Sequence, residues 1–295
     1  MSPGRGALAL IGAAALLLVP DAQVAPAAIS LVAVDSSTAV DFGDGTVHVL
    51  ALGSDSTGDD PRSGNADAIE LISLDFETGA SSAVGIPRDS VVDLEGSRSK
   101  INAGLRIGGP QMMADAVEQL TGVKAQYVLT AGGADFEKLV DTIGELEVHS
   151  DIAFEDDAYH LTVTPGPNTL DGREARGFAK ERGFEGGDFT RMANQQELLQ
   201  AILDVLRGRE DELGFIESGA FAALQHLETD LSPVDLYRFA QAIGQLDTTK
   251  TTSCVLTGPT PRDPELGDVV ILDPKYASQV AKDASDGVID GSCAP

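Results

Sequence analysis

VHVLALGSD (residues 47–55) and DAIELISLDFETGASSAVGIPRD (residues 67–89) decide the fold. Val47–Leu52 is an apolar run of strand length that stops at Gly53. Asp67–Leu74 predicts a second strand and Ser81–Ile86 a third, with Phe76-Glu77-Thr78-Gly79-Ala80 as the turn between them. If the second strand runs antiparallel to the other two, Asp55, Asp67 and Arg88 emerge at one edge of the sheet. Two carboxylates beside an arginine suit a divalent cation and a phosphorylated ligand.

The remaining segments extend this into an α/β layered fold. Pro110 suits a first helical position, Met113, Val117 and Leu120 follow at helical spacing, and Gly122 ends the run. Ala125–Leu129 predicts a strand. Phe136, Leu139, Val140 and Ile143 predict a helix stopped at Gly144, and Leu146–His149 another strand. Pro165-Gly166-Pro167 marks a turn before a short helix containing Ala175 and Phe178, and Glu181–Gly187 predicts a loop. Asp188 is placed to cap a long helix with a stripe of Leu198, Leu199, Ile202, Leu203 and Leu206. Arg191 and Gln195, four apart, share a face near its N-terminus, where free N–H groups favour an anion. Phe221–Leu227 and Pro233–Ile243 predict helices, and Val269–Leu272 a strand followed by a helix. This alternation favours three layers, α/β/α, around a mixed sheet.

The chain has 295 residues, enough for a sizeable core, and its 42% hydrophobic and 23% charged content is ordinary for a globular protein. A net charge of −27 is not ordinary. It argues against nucleic acid as a partner and against an electrostatic hold on anionic lipid. A cationic pocket would stand out against such a background, although most of the charge serves as a solubilising surface.

Arg5 precedes the apolar run Ala7–Val19, which Pro20-Asp21 ends. The run is short for a membrane span, which takes about 20 residues. It fits a secretory signal with Ala25-Pro26-Ala27-Ala28 as cleavage region, while the apolar stretch Ala25–Val34 keeps a retained anchor open. Residues 1–34 are therefore expected to be a signal peptide or membrane anchor and residues 35–45 a polar link. Residues 46–295 are expected to form the folded body, outside the cytoplasm. In an exported chain Cys254 and Cys293 suggest one disulfide closing a long loop, with two separate buried thiols as the alternative. Neither has ligand-spaced partners for zinc. The four histidines (His48, His149, His160, His226) form no ligand-spaced or triad-like set, and no nucleotide loop or serine-hydrolase elbow is present.

Together, several motifs resemble the LytR–CpsA–Psr family, exported bacterial enzymes that attach glycopolymers to the cell wall. They are Leu52-Gly53-Ser54-Asp55, Asp67, Ile86-Pro87-Arg88-Asp89, Lys100-Ile101-Asn102-Ala103, Gly109-Pro110, and Gly187-Asp188-Phe189-Thr190-Arg191 with Gln195-Gln196. They span a motif core of residues 46–207, with residues 208–295 as its completion. The resemblance implies a membrane-associated or secreted phosphotransferase. It would move a glycopolymer phosphate from a polyprenyl-pyrophosphate carrier to a peptidoglycan sugar hydroxyl. It also implies that Asp55 and Asp67 hold Mg²⁺ (or Mn²⁺), and that Arg88, Lys100, Lys180, Arg182, Arg191 and Gln195 contact phosphate. Asp67 or Asp89 would take the acceptor's proton, and an apolar tunnel between sheet and helices would take the prenyl tail.

The chain departs from the family pattern where an arginine is usual. Asn65 and Asn194 are neutral, and the arginine pair before the glycine-rich loop is Lys180 with Arg182. An ammonium cannot make the planar bidentate contact of a guanidinium. Arg62 and Arg106 are the candidates to compensate. Two alternatives follow: a diverged polyprenyl-phosphate-binding or regulatory protein without efficient transfer, and a hydrolase of the lipid pyrophosphate.

Overall fold

The computed structural model describes residues 29–34, 45–58, 60–182, 187–209, 227–229, 231–232, 238–239, 242–291 and 293. In chain order its strands are β1 (Ile29–Ala33), β2 (Thr46–Ser54), β3 (Ala66–Asp75), β4 (Ser81–Gly85), β5 (Val91–Leu94), β6 (Ser97–Lys100), β7 (Tyr127–Gly132), β8 (Leu146–Ser150), β9 (Phe154–Asp156), β10 (Leu161–Val163), β11 (Gly166–Leu170), β12 (Leu227–Thr229), β13 (Thr251–Val255), β14 (Arg262–Asp263) and β15 (Gly267–Asp268). The helices are α1 (Gly104–Thr121), α2 (Gly133–Ile143), α3 (Gly172–Phe178), α4 (Asp188–Gly208) and α5 (Pro274–Asp283). Among the described residues, β12-β1-β7-β2-β3-β4-β13 form one seven-stranded sheet. It is mixed: β2 pairs parallel with β7, and β3 antiparallel with both β2 and β4.

Both faces of this sheet are covered, which is why its strands are apolar on both sides. Leu50 and Leu52 of β2 face the cluster built with Met113 and Val117 of α1 and Val280 of α5. Val47 and Val49 of the same strand face the opposite way, toward Phe239, Ala242 and Leu203 of α4. A further core joins β8, β10 and β11 to α2, α3 and α4. The α/β/α expectation holds.

α1 starts earlier than expected and is broken at Gly109 (φ 70°, ψ −159°), where only glycine is comfortable, and Pro110 restarts it. Gly122 ends it in the left-handed conformation (φ 73°).

Several elements differ from expectation. Ile29–Ala33 lies in the stretch assigned to the leader, yet it is a strand paired antiparallel with β7 and parallel with β12. A strand placed inside a sheet is as apolar as a leader, so composition cannot separate them. Residues 1–28 and 35–44 lie outside the described residues. Val269–Leu272 is no strand: Val269, Val270 and Leu272 are buried while Ile271 is exposed, and its pairing is a single bridge from Val270 to Ser90. The helix expected over Phe221–Leu227 falls outside the described residues except for Leu227, which begins β12. That over Pro233–Ile243 falls mostly outside them, with residues 238–239 and 242–244 helical. Cys254 and Cys293 are bonded to each other, with Cα atoms 5.8 Å apart.

Candidate functional site

The edge where β2 ends and β3 begins is irregular. Gly53 pairs with Ala68 but Ser54 pairs with Ala66, which leaves Asp67 as the extra residue of a β-bulge. A bulge re-aims the side chain it carries, here toward Arg88 just beyond β4. Arg88 Nη1 donates to the Asp67 carboxylate.

The segment after β4 turns sharply, with Ser90 N–H donating to the Pro87 carbonyl at 2.9 Å. Asn102 N–H then holds the Arg88 carbonyl at 3.2 Å, and Ile101, fully buried, anchors the 3₁₀ turn that presents it. Lys100, at the end of β6, reaches Asp89 at 2.8 Å. The spacing of the two motifs is thus set by main-chain bonds between them.

The third contributor is the first turn of α4. Asp188 does not cap this helix: Gly187 holds the N-cap position, and no side-chain cap bond forms. The Asp188 carboxylate is instead claimed by Arg191 at 2.8 Å, Arg88 at 3.7 Å and Arg182 at 3.9 Å. Arg191 is only 1% exposed, and its Nη2 also donates to the Asp67 carbonyl at 3.2 Å. Arg88, Lys100, Arg182 and Arg191 are therefore interleaved with Asp67, Asp89 and Asp188. This cationic pole survives in a molecule of charge −27.

Burial lowers the Arg191 guanidinium to about 10; Asp188 opposes that shift, while Arg88 and Arg182 add to it. Burial also pulls on Arg88, but Asp67, then Asp188 and Asp89, hold it above its ordinary value. Several polar atoms here are buried without a hydrogen-bond partner: Nε of Arg88, which lies 3.6 Å from Asp89 and 3.7 Å from Asp188, Nε and Nη1 of Arg191, Oδ2 of Asp188 and Oε1 of Gln195. Native interiors rarely leave buried donors unpaired. Three such guanidinium N–H groups at one place call for a ligand with acceptor oxygens.

Other expected site residues stand beside the pole. Gln195 Nε2 donates to the Ala179 carbonyl at 3.2 Å, and Asn194 Nδ2 to the Phe178 carbonyl at 3.1 Å, so both tie α4 to the end of α3. Lys180 lies over the Tyr159 ring, 5.8 Å from its centre, and no ion pair joins it to the cluster among the described residues. Asp55 accepts from Asn65 N at 2.7 Å and Asn65 Nδ2 at 3.4 Å, and Asn65 Oδ1 accepts from Arg106 Nε at 3.4 Å. Arg106 thus reaches the position where the family pattern has its cation, whereas Arg62 is paired with Asp60 at 2.9 Å. A side chain on Gly64 would meet Asp55 Oδ1 at 2.6 Å, so the loop can close on Asp55 only with glycine there.

Among the described residues no three His, Cys, Asp or Glu side chains converge as a metal cluster. Asp55 and Asp67 flank the same strand end. Their oxygen-only donors are of the kind Mg²⁺ takes, although the Asp67 carboxylate is held by Arg88 here. Below the pole, a cavity of about 310 Å³ lies between the sheet and α4, lined by Ile72, Ser81, Ala83, Leu199, Gln200 and Leu203.

Sequence reasoning missed the central role of Asp188. Its three-residue spacing from Arg191 was a usable signal, but its contact with Arg88 is not legible locally.

These features define an α/β protein with a cluster of interleaved cations and carboxylates where its central strands end. The LytR_cpsA_psr family model matches residues 25–280, and the chain belongs to that family. A polyisoprenyl-teichoic acid–peptidoglycan teichoic acid transferase TagU of Bacillus cereus is 32% identical over 161 residues, 53% of this chain and 51% of that protein. The chain spans about half the length of the curated relatives it matches. Among solved structures, Bacillus subtilis TagV superposes with a TM-score of 0.72 at 22% identity, covering 84% of this chain and 99% of that one. TagT bound to LI-WTA superposes at 0.66 and 24% identity, covering 85% and 95%. Both share the fold.

Proposed function

We propose that the chain transfers a glycopolymer phosphate from a polyprenyl-pyrophosphate carrier to a sugar hydroxyl of peptidoglycan, outside the cytoplasm. The acceptor oxygen forms a bond to the phosphorus that carries the polymer. The bond from that phosphorus to the bridging oxygen breaks, and polyprenyl monophosphate leaves. Arg88, Arg191, Arg182 and Lys100 hold the phosphate oxygens, which replace the missing acceptors of the buried guanidinium N–H groups. That set of unpaired donors is the observation that carries the reading. Phosphoryl transfer needs positioning and charge neutralisation more than covalent help. Asp55 and Asp67 would hold Mg²⁺ (or Mn²⁺), which when bound neutralises charge on the diphosphate. Asp67 or Asp89 takes the acceptor's proton. The prenyl chain enters the cavity between sheet and α4.

The names of the relatives support the substrate class, since TagU acts on polyisoprenyl-linked teichoic acid and peptidoglycan. Membrane association follows from the lipid substrate or the N-terminal segment. Among the described residues no helix is long and apolar enough to cross a membrane.

A second reading, binding of the carrier without efficient transfer, is favoured by Asn65, Asn194 and Lys180. Asn194 is spent on a main-chain carbonyl, and Lys180 rests on Tyr159. Incubation with a radiolabelled lipid-linked donor, peptidoglycan and Mg²⁺ separates the possibilities. Labelled peptidoglycan supports transfer, released sugar phosphate supports hydrolysis, and unchanged bound lipid supports the binder.

A further inference from the structure

Glu70 is a buried carboxyl that the transfer reaction does not use. It lies three residues beyond the bulged Asp67 on β3, is 2% exposed, and pairs across the sheet with Gly85. Its Oε2 accepts from Gln196 Nε2 at 3.1 Å, and the same amide donates to the Cys254 carbonyl at 2.7 Å. Its Oε1 has no partner. A Cβ on Gly85 would stand 3.0 Å from Glu70 Oε1, 3.0 Å from Gln196 Nε2 and 3.1 Å from the Met192 methyl. Glycine at that position leaves the space the carboxyl occupies.

The register fixes what lies on either side. Glu70, Gly85 and Val255 form one rung of β3, β4 and β13, and Ile72, Ala83 and Ser253 form the next-but-one rung, which lines the cavity. In the other direction β4 leads through Ile86 and Pro87 to Arg88. On α4, Gln196 lies between Arg191 at the pole and Gln200 at the cavity. The Glu70–Gln196 pair therefore stands between the cationic pole and the cavity beneath it. Packing alone does not require a carboxyl there, since apolar side chains fill the neighbouring buried positions and an unpaired carboxyl oxygen costs stability.

We propose that Glu70 is a positioning residue that sets how much negative charge the pole accepts: neutral, it leaves the field of Arg88 and Arg191 undiminished, and ionised, it repels a bound phosphate. The proposal rests on the reading of the pole as a phosphate site. Burial pushes the Glu70 acid up to about 8, against the Gln196 hydrogen bond that pulls it down. The groups facing it are Met192 and Gln196 of α4, Gly85 of β4 and the Cys254 carbonyl of β13. The charged groups beyond them are Asp67, Arg88, Asp188 and Arg191 at the pole and Glu197 at the cavity. Three residues of strand separate Glu70 from Asp67 by about 10 Å. At that distance an ionised Glu70 lowers affinity by about tenfold for each unit of ligand charge.

The test is calorimetric titration of the full chain with inorganic pyrophosphate from about pH 6.5 to about pH 9, for wild type and Glu70→Gln. The ligand's own titration is common to both. The wild-type affinity should fall about tenfold or more relative to the variant across this range. Superimposable profiles would overturn the proposal and leave the phosphate reading standing. No binding at any pH, in either protein, would overturn the phosphate reading and this proposal with it. If Glu70→Gln does not fold, Glu70→Met, equally uncharged and close in size, gives the same readout.

Discussion

Arg191 Nη2 forms an ion pair with the Asp188 carboxylate, 2.8 Å away, and donates to the main-chain carbonyl of Asp67, 3.2 Å away. One guanidinium thereby ties the first turn of α4 to the bulge in β3. The helix that covers the sheet and the strand that carries the candidate metal carboxylate are locked at the place where a ligand would bind. Removing Arg191 empties a fully buried position and leaves the half-buried Asp188 carboxylate short of its nearest partner. Arg191→Ala should cost about 3 kcal/mol or more in denaturant unfolding and lose pyrophosphate binding. Arg191→Lys should recover part of the stability without the binding, because an ammonium cannot serve both partners and a phosphate.

Asp188→Asn separates charge from shape. Burial already lowers Arg191 to about 10, and Asp188 is the chief group opposing that shift. Without the carboxylate the guanidinium loses its proton at lower pH. Pyrophosphate affinity in Asp188→Asn should therefore collapse at lower pH than in wild type, below about 10. Binding measured across the alkaline range checks this.

Glu70 gives a stability prediction with a definite sign. Its folded value, about 8, lies above the ordinary value of 4.5, so the native state holds a proton that the unfolded chain has released. Its favourable contribution is complete below 4.5 and is lost as pH rises through about 8. Relative to Glu70→Gln, wild type should lose roughly 1.4 kcal/mol per pH unit across that window. The variant should match wild type near the acid end and be more stable by a few kcal/mol at neutral pH, read by urea unfolding at each pH.

The Cys254–Cys293 bond closes a loop with a sequence separation of 39. The chain-entropy model gives it about 4 kcal/mol. Cys293→Ser should lower the unfolding free energy by about that amount under oxidising conditions and by nothing in excess reductant, where wild type is also open.

How much of this was legible in the sequence depends on whether the signal is local. Val47–Leu52, Asp67–Leu74 and Ser81–Ile86 read as strands because their apolar runs end at glycine, proline or turn residues. Their antiparallel order then places Asp55, Asp67 and Arg88 at one edge. Pro110 and Gly122 bound the second segment of α1 by conformational preference alone. β1 was hidden because an apolar strand preceding a polar link looks like the end of a leader. β5 and β6, VVDL and SRSK, escape because a short polar hairpin has little alternation to detect. In the site, the motif residues that meet at Asp188 are written in separate segments, and only the register of the sheet brings them together. Glu70 was invisible for a similar reason: a glutamate in an alternating run looks solvent-facing until α4 covers it.

In the proposed transferase the cationic pole holds the phosphate head of a lipid whose chain lies under α4. Native mass spectrometry of the protein purified from bacterial membranes tests it most directly, with wild type compared to Arg88→Ala. A polyprenyl phosphate or pyrophosphate should co-purify with wild type and be missing from a folded Arg88→Ala. A wild-type protein free of lipid, or a variant that carries the lipid equally well, would contradict it.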